Sequence, residues 1–234
     1  MSKKTQDPRM KTFVKGLDEV LNGGIPRKNI VLLAGSPGTM KSSLGFYILY
    51  HNAIANDLKG LYVSLEEGRG TLLNGMKSLG MDPENVSDKV MVQDISLIRS
   101  HLKELDGKGW MEVFKMYLRN LKMNQGYHFL VIDSMAVLEL MADMENPRKE
   151  LFEFFTWLRN LDVTTFLIHE LPANDPQFSD AGEGFLTDGI LHLELRREAN
   201  NVDLYLSVMK MRKTSHSRDY HPLLYADGFE LIRG

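Results

Sequence analysis

Short apolar runs alternate with amphipathic stretches along most of this 234-residue chain, and that rhythm restricts the fold more than any other feature. "NIVLLAG" is aliphatic and β-branched, stops at Gly35, and reads as a buried strand. "KSSLGFYILYHNAIAND" then reads as a helix, and "GLYVSLEE" as a second strand. "GRGTLLNGMKSLGM" has helical spacing despite its glycines, "MDPENVSD" is a turn, and "KVMVQD" is a third strand. "GWMEVFKMYLRNLKMNQG" is an amphipathic helix ended by Gly126. "YHFLVIDS" is a fourth strand, nearly all apolar. "NPRKELFEFFTWLRNLD" is a helix with Pro147 near its start, and "VTTFLIHE" is a fifth strand.

Strands and helices in alternation predict an α/β fold: a mostly parallel sheet covered by helices on both faces. The rhythm then changes. "GILHLELRREANNVDLYLSVMKMRK" reads as two strands joined by a polar turn at Glu198 to Asn201, and "LLYADGFELI" as a short hairpin. Antiparallel strands are therefore expected at the C-terminal end of the sheet.

The length suits one domain, placed at residues 12–234 behind a polar, flexible arm at residues 1–11. A net charge of −3 gives no global attraction to nucleic acid or anionic membrane. The absence of cysteine excludes a disulfide scaffold, thiolate metal sites and thiol catalysis. No apolar run approaches the roughly 18 residues of a membrane span, and "MSKKTQDPRMK" lacks the apolar core of a signal peptide. A cytoplasmic protein is the default expectation.

Ligands of such sheets sit at the carboxyl ends of the strands. At the first such end stand Gly35, Ser36, Pro37, Gly38, Thr39, Met40, Lys41, Ser42 and Ser43. The pattern approximates G-x-x-x-x-G-K-[ST], with Met40 where the second glycine is usual. Glycines let backbone N–H groups face an anion, and the following helix N-terminus adds its dipole. Lys41 would reach the terminal phosphates of ATP, and Ser42 would bind Mg²⁺. Met40 keeps its backbone N–H and can turn a flexible side chain outward, so it bears on affinity and rate more than on the site's existence.

At the second strand end, Glu66 and Glu67 could polarise the water that attacks a γ-phosphate, although acidic residues also favour a helix start. At the fourth, "LVIDS" has the shape of a Walker B strand whose Asp133 holds Mg²⁺. Lys210 and Arg212 are one residue apart on an expected strand and share a face. They are either cationic fingers for phosphate or the solubilising charges of an edge strand.

Together these segments resemble the RecA-like P-loop ATPases, and within them the KaiC-like branch. The resemblance runs from about Phe13 to the end: "KGLDEVLNGGIPRKNIVLLAGSPGTMKSS", "YVSLEEGRG", "FLVIDSMAVL", "FLIHELP" with a polar switch residue at His169 or Glu170, "FLTDGILHLEL" and "SVMKMRKTSHS". The resemblance implies that Glu66 or Glu67 activates water, that Lys210 and Arg212 reach the γ-phosphate of a neighbouring subunit, and that Ser215 and His216 line the nucleotide there. It implies a homo-oligomeric ring, commonly a hexamer, that acts as a regulatory or signalling ATPase with a protein partner. One such domain stands here rather than the tandem pair of the clock protein, so no clock role is expected.

Two other functions compete. A DNA-recombination accessory ATPase would need Lys or Arg in the loops facing the ring axis. "LPANDPQFSDAGEGFLTDG" has neither and carries Asp175, Asp180, Glu183 and Asp188, while "ELMADMENPRKE" leans acidic. This charge argues against a nucleic-acid partner. A non-catalytic, ATP-gated interaction scaffold is the second rival, which Met40 keeps open. "HELPA" lacks the second histidine of H-E-x-x-H, which removes a zinc protease.

Overall fold

The computed structural model describes residues 8–95, 109–142, 144–171, 183–198 and 200–232. Its centre is a nine-stranded sheet built from strands β3 to β11. The parallel part contains β3 (Ile30–Gly35), β4 (Gly60–Ser64), β5 (Val90–Asp94), β6 (Phe129–Asp133), β7 (Thr164–Glu170) and β8 (Gly189–Glu198). The antiparallel part continues from β8 through β9 (Asn201–Met211), β10 (His221–Tyr225) and β11 (Phe229–Leu231). The spatial order is β11-β10-β9-β8-β3-β7-β6-β4-β5. The phosphate-loop strand β3 thus lies inside the sheet, between β7 and β8. The chain leaves it and returns at β4, two strands beyond β7, which opens a crevice above the carboxyl end of β3.

Period-two alternation divides the core. Val31, Leu33, Tyr62, Val131 and Ile168 face the side of helix α2 (Lys41–Asn56), where Leu44, Phe46 and Ile48 are fully buried. Ile30, Leu32, Val63, Ile132 and Leu167 face the other side, against α4 (Trp110–Gln125), α5 (Met135–Ala142) and α6 (Pro147–Asn160). Each such aliphatic side chain contributes roughly 1.5–3 kcal/mol when buried. Pro147 begins α6, where the Asn146 side chain caps the Lys149 amide, and Gly126 ends α4 at φ 70°. Helix α3 (Arg69–Ser78) follows β4 and tolerates its exposed glycines.

Several details differ from the sequence expectation. Arg9 and Met10 form β1 and pair antiparallel with β2 (Ile25–Pro26), so part of the stretch read as an arm is a strand. A four-residue helix, α1 (Leu17–Val20), follows β1. Helix α5 follows Asp133; its sequence MAVLELMA is almost wholly apolar, so it shows no helical periodicity to read. A second four-residue helix, α7 (Glu183–Leu186), precedes β8. Asp175 and Asp180 lie outside the described residues. Asp188 is no loop charge: it is 8% exposed, accepts from the Ile30 amide at 3.1 Å, and pairs with Arg212 at 2.8 Å and Arg159 at 3.6 Å.

Candidate functional site

Close approach to β8 determines where the phosphate loop begins. A Cβ on Gly35 would lie 2.3 Å from the Leu193 carbonyl oxygen and 2.8 Å from Thr39 Oγ1, so only glycine fits. Thr39 Oγ1 donates to Ser36 O at 2.8 Å and cinches the loop. Gly38 takes φ 80° and Met40 φ 59°, both left-handed, and Met40 is the residue that enters α2. The usual glycine at Met40 thus answers first to a backbone torsion. For a residue with a Cβ that torsion costs about 1 kcal/mol. Nor does the Met40 side chain turn outward: it is half-buried and packs against the core on the α2 side.

Lys41 is 8% exposed, and its Nζ donates to Ser36 O at 2.8 Å. Burial pulls its pKa down, while Glu170, Asp133 and Glu66 oppose that shift in decreasing order. One ammonium therefore faces three carboxylates from the ends of three different strand-to-loop junctions. Glu170 pairs in register with Gly35 and is exposed, whereas its neighbour His169 is buried. Of the carboxylates that raise the Lys41 pKa, Glu170 has the largest effect.

Asp133 ends β6 beside the same lysine. Burial raises its pKa, and hydrogen bonds from Tyr62 and Ser42 work against that shift. Tyr62 is fully buried and donates to Asp133 Oδ2 at 2.5 Å. Ser42, Tyr62 and Asp133 form one oxygen cluster at the mouth of the loop. A carboxylate and a hydroxyl presented together are hard oxygen donors of the kind Mg²⁺ takes beside phosphate oxygens, so the residues fit the metal. Glu66 is held by the Ser134 hydroxyl, and the Glu67 amide is held by Ser64 Oγ at 3.1 Å. Glu66 is the glutamate of the pair that acts electrostatically on both Lys41 and Asp133. Ser43 is half-buried in the first turn of α2, and Pro37 is exposed at the loop tip.

Lys210, Arg212, Ser215 and His216 stand apart from this group. Lys210 pairs with Ile190, which is level with Leu32 at the amino side of β3. Three residues at about 3.3 Å each separate that level from Gly35, across two strand spacings of about 4.8 Å. Lys210 Nζ donates to Thr187 O at 2.6 Å and Gly184 O at 3.0 Å, and Arg212 Nη1 donates to Asp188 Oδ1 at 2.8 Å. His216 Nδ1 lies 2.9 Å from Ser217 O, and Ser215 O accepts from Asn22 at 2.7 Å. The chain does not bring its own cationic pair to its own phosphate loop.

Tyr62 and Ser134 joined the site without a sequence signal of their own. The alternation that makes β4 a buried strand also aims Tyr62 at Asp133, but an aromatic in a strand reads as core.

The family described as "ATPase: KaiC" matches residues 10–231. The chain belongs to this KaiC ATPase family. It is 29% identical to a protein named UPF0273 from Sulfurisphaera tokodaii, over 94% of this chain and 80% of that one. It is 26% identical to the circadian clock protein KaiC2 of Synechocystis, over 91% of this chain but 38% of that protein. The crystal structure of a KaiC-like protein from Pyrococcus horikoshii superposes with a TM-score of 0.83 at 28% identity, covering 97% of this chain and 99% of the other. The KaiC-like RecA core thus accounts for the parallel sheet and for its antiparallel extension. No helix among the described residues is long and apolar enough to cross a membrane.

Proposed function

We propose that this KaiC-family chain binds Mg-ATP at Gly35 to Ser43 and hydrolyses it slowly, as a subunit of a homo-oligomeric ring with ATP between neighbours. The observation that carries this reading is Lys41, buried at the loop and faced by Glu170, Asp133 and Glu66. A buried ammonium with three donors and a carboxylate surround is poised for a ligand that brings both phosphate and metal charge. Ser42 and Asp133 would hold Mg²⁺, which when bound neutralises charge on the β- and γ-phosphates. Glu66 polarises the attacking water, with Ser134 fixing its carboxylate.

The distance of Lys210 and Arg212 from their own loop supports their service to a neighbour's γ-phosphate. Hydrolysis would then depend on assembly, as with any arginine finger supplied in trans. A slow ATPase gated by assembly suits a regulatory role with a protein partner better than bulk turnover.

The test is phosphate release and light-scattering molar mass on one sample, with and without Mg-ATP, beside calorimetric ATP affinity for wild type and Lys41→Ala. The expected result is a nucleotide-supported ring, measurable turnover, and loss of most affinity in Lys41→Ala. Unchanged affinity in Lys41→Ala sinks the site assignment. Binding and assembly with no turnover would instead identify an ATP-gated scaffold.

A further inference from the structure

Arg212, Ser215 and His216 sit at the start of an irregular stretch, residues 212–220, that no strand ladder holds in place. Its anchorage comes from elsewhere. The Arg212 amide donates to Asp188 O at 2.8 Å. The next three residues are tied to the N-terminal ribbon. Arg9 Nη2 donates to Lys213 O at 3.1 Å, and Arg9 Nη1 lies 3.0 Å from Thr214 Oγ1. The same Nη1 lies 2.8 Å from Gly24 O and 3.0 Å from Leu21 O. Asn22 completes the seam by donating to Ser215 O at 2.7 Å.

One guanidinium therefore bridges the turn after α1 and the finger loop. Its own backbone is paired across from Pro26 in β2, four residues before the phosphate-loop strand begins. Charge-assisted bonds from a rigid planar fork fix direction as well as distance, which a lysine's point charge cannot do. The sequence separates these partners by about 200 positions, and nothing but the fold brings them together.

We infer that Arg9 is the positioning residue for the Arg212–His216 loop: it holds the finger backbone at the angle from which Arg212 reaches a neighbouring protomer's nucleotide. The inference rests on the trans reading above. The Nη donors of Arg9 go to Leu21, Gly24, Lys213 and Thr214, so the role assigned to it is one of holding the loop.

The test compares Arg9→Ala and Arg9→Lys with wild type in the assembled protein. Four readouts are needed: kcat and KM for ATP, calorimetric ATP affinity, amide hydrogen exchange over residues 213–216, and the Arg9→Ala/Arg212→Ala double variant. Displacing the finger by a fraction of an ångström should lower kcat about tenfold, given that misplacement by about 1 Å costs about 100-fold. KM and ATP affinity should change far less than kcat, with only the shift that Ser215 and His216 can cause, and exchange at 213–216 should speed up. In kcat the double variant should be no worse than Arg212→Ala alone, because Arg9 acts on the chemical step through that arginine. Arg9→Lys keeps the charge and stem, so it reports on the fork even if Arg9→Ala folds poorly. A strong Arg212→Ala effect beside wild-type kcat and exchange in Arg9→Lys and Arg9→Ala overturns the inference. A silent Arg212→Ala overturns the trans reading itself, and with it the role given to Arg9.

Discussion

Tyr62 donates its hydroxyl to Asp133 Oδ2 at 2.5 Å from a position with no solvent exposure. Burial and the neighbouring carboxylate push the phenol's pKa well up, so Tyr62 is a proton donor at every working pH. Tyr62→Phe keeps the ring packed against Phe46 but leaves a buried carboxylate oxygen without this donor. Ser42 still bonds the carboxylate, so the loss is that of one hydrogen bond to a charged group, about 1.5–3 kcal/mol. The variant should unfold at lower denaturant concentration and should need more Mg²⁺ for half-maximal ATP binding. ATP affinity in EDTA should match wild type. An unchanged Mg²⁺ requirement would show that the phenol does not orient Asp133 for metal.

Met40 should reverse the ordinary ranking of glycine and alanine. At a right-handed helical position alanine is the more stabilising by about 1 kcal/mol. At φ 59° the preference inverts, because alanine keeps the Cβ penalty and glycine removes it. Both substitutions lose the contact of the thioether with the core. Met40→Gly should therefore be more stable than Met40→Ala by about 1 kcal/mol in urea unfolding. It should also hydrolyse ATP at least as fast as wild type. If the alanine variant is the more stable, the left-handed torsion is not what the loop demands.

The parallel core was legible because apolar runs ending at Gly35 and Asp133 need only local pattern to be read. The same holds for Lys41 and Ser42, whose chemistry is set by adjacent residues. Tyr62 and Arg9 were not legible. Each acts through a partner far along the chain, Asp133 for one and Lys213 with Thr214 for the other. Asp188 misled in the opposite direction: in sequence it is one acid among several, and in the fold it is a buried partner of two arginines. Met40 was read through its side chain, whereas its φ decides its cost.

Acid should weaken the fold through its histidines, chiefly the two packed against aromatic rings. Burial lowers the pKa of His51, which packs among Phe13, Tyr47 and Tyr50, and of His192, whose Nδ1 meets Tyr220 Oη at 2.7 Å. In the unfolded chain both return to about 6.5. Between that value and their lower native ones, the unfolded chain binds more protons, so stability rises with pH there and falls as pH drops. The urea midpoint should decline as pH falls below about 6.5. His51→Gln with His192→Gln should flatten that decline. A slope left intact by the double variant would assign it to other groups, His128 first, whose pKa burial also lowers.

The separation of Lys210 and Arg212 from their own phosphate loop makes a quantitative prediction about mixed rings. Arg212→Ala lacks the finger but keeps Glu66 and Glu67; the Glu66→Gln/Glu67→Gln variant lacks the water-polarising carboxylates but keeps the finger. Each alone should bind ATP normally and hydrolyse it poorly. In a head-to-tail ring every interface takes its loop from one protomer and its finger from the next. Random mixing in equal amounts then pairs an intact loop with an intact finger at about one interface in four, so activity should recover to about a quarter of wild type. If both parts acted within one protomer, no mixture could contain a complete site and recovery would be nil. The ion pair of Arg212 with Asp188, 2.8 Å in the single chain, does not oppose the trans role. Arg212 has further donors, and its side chain is 53% exposed, open to a neighbour. Subunit exchange must be demonstrated in the same sample, by mass or fluorescence. With exchange established, absence of any recovery removes the trans assignment of Lys210 and Arg212.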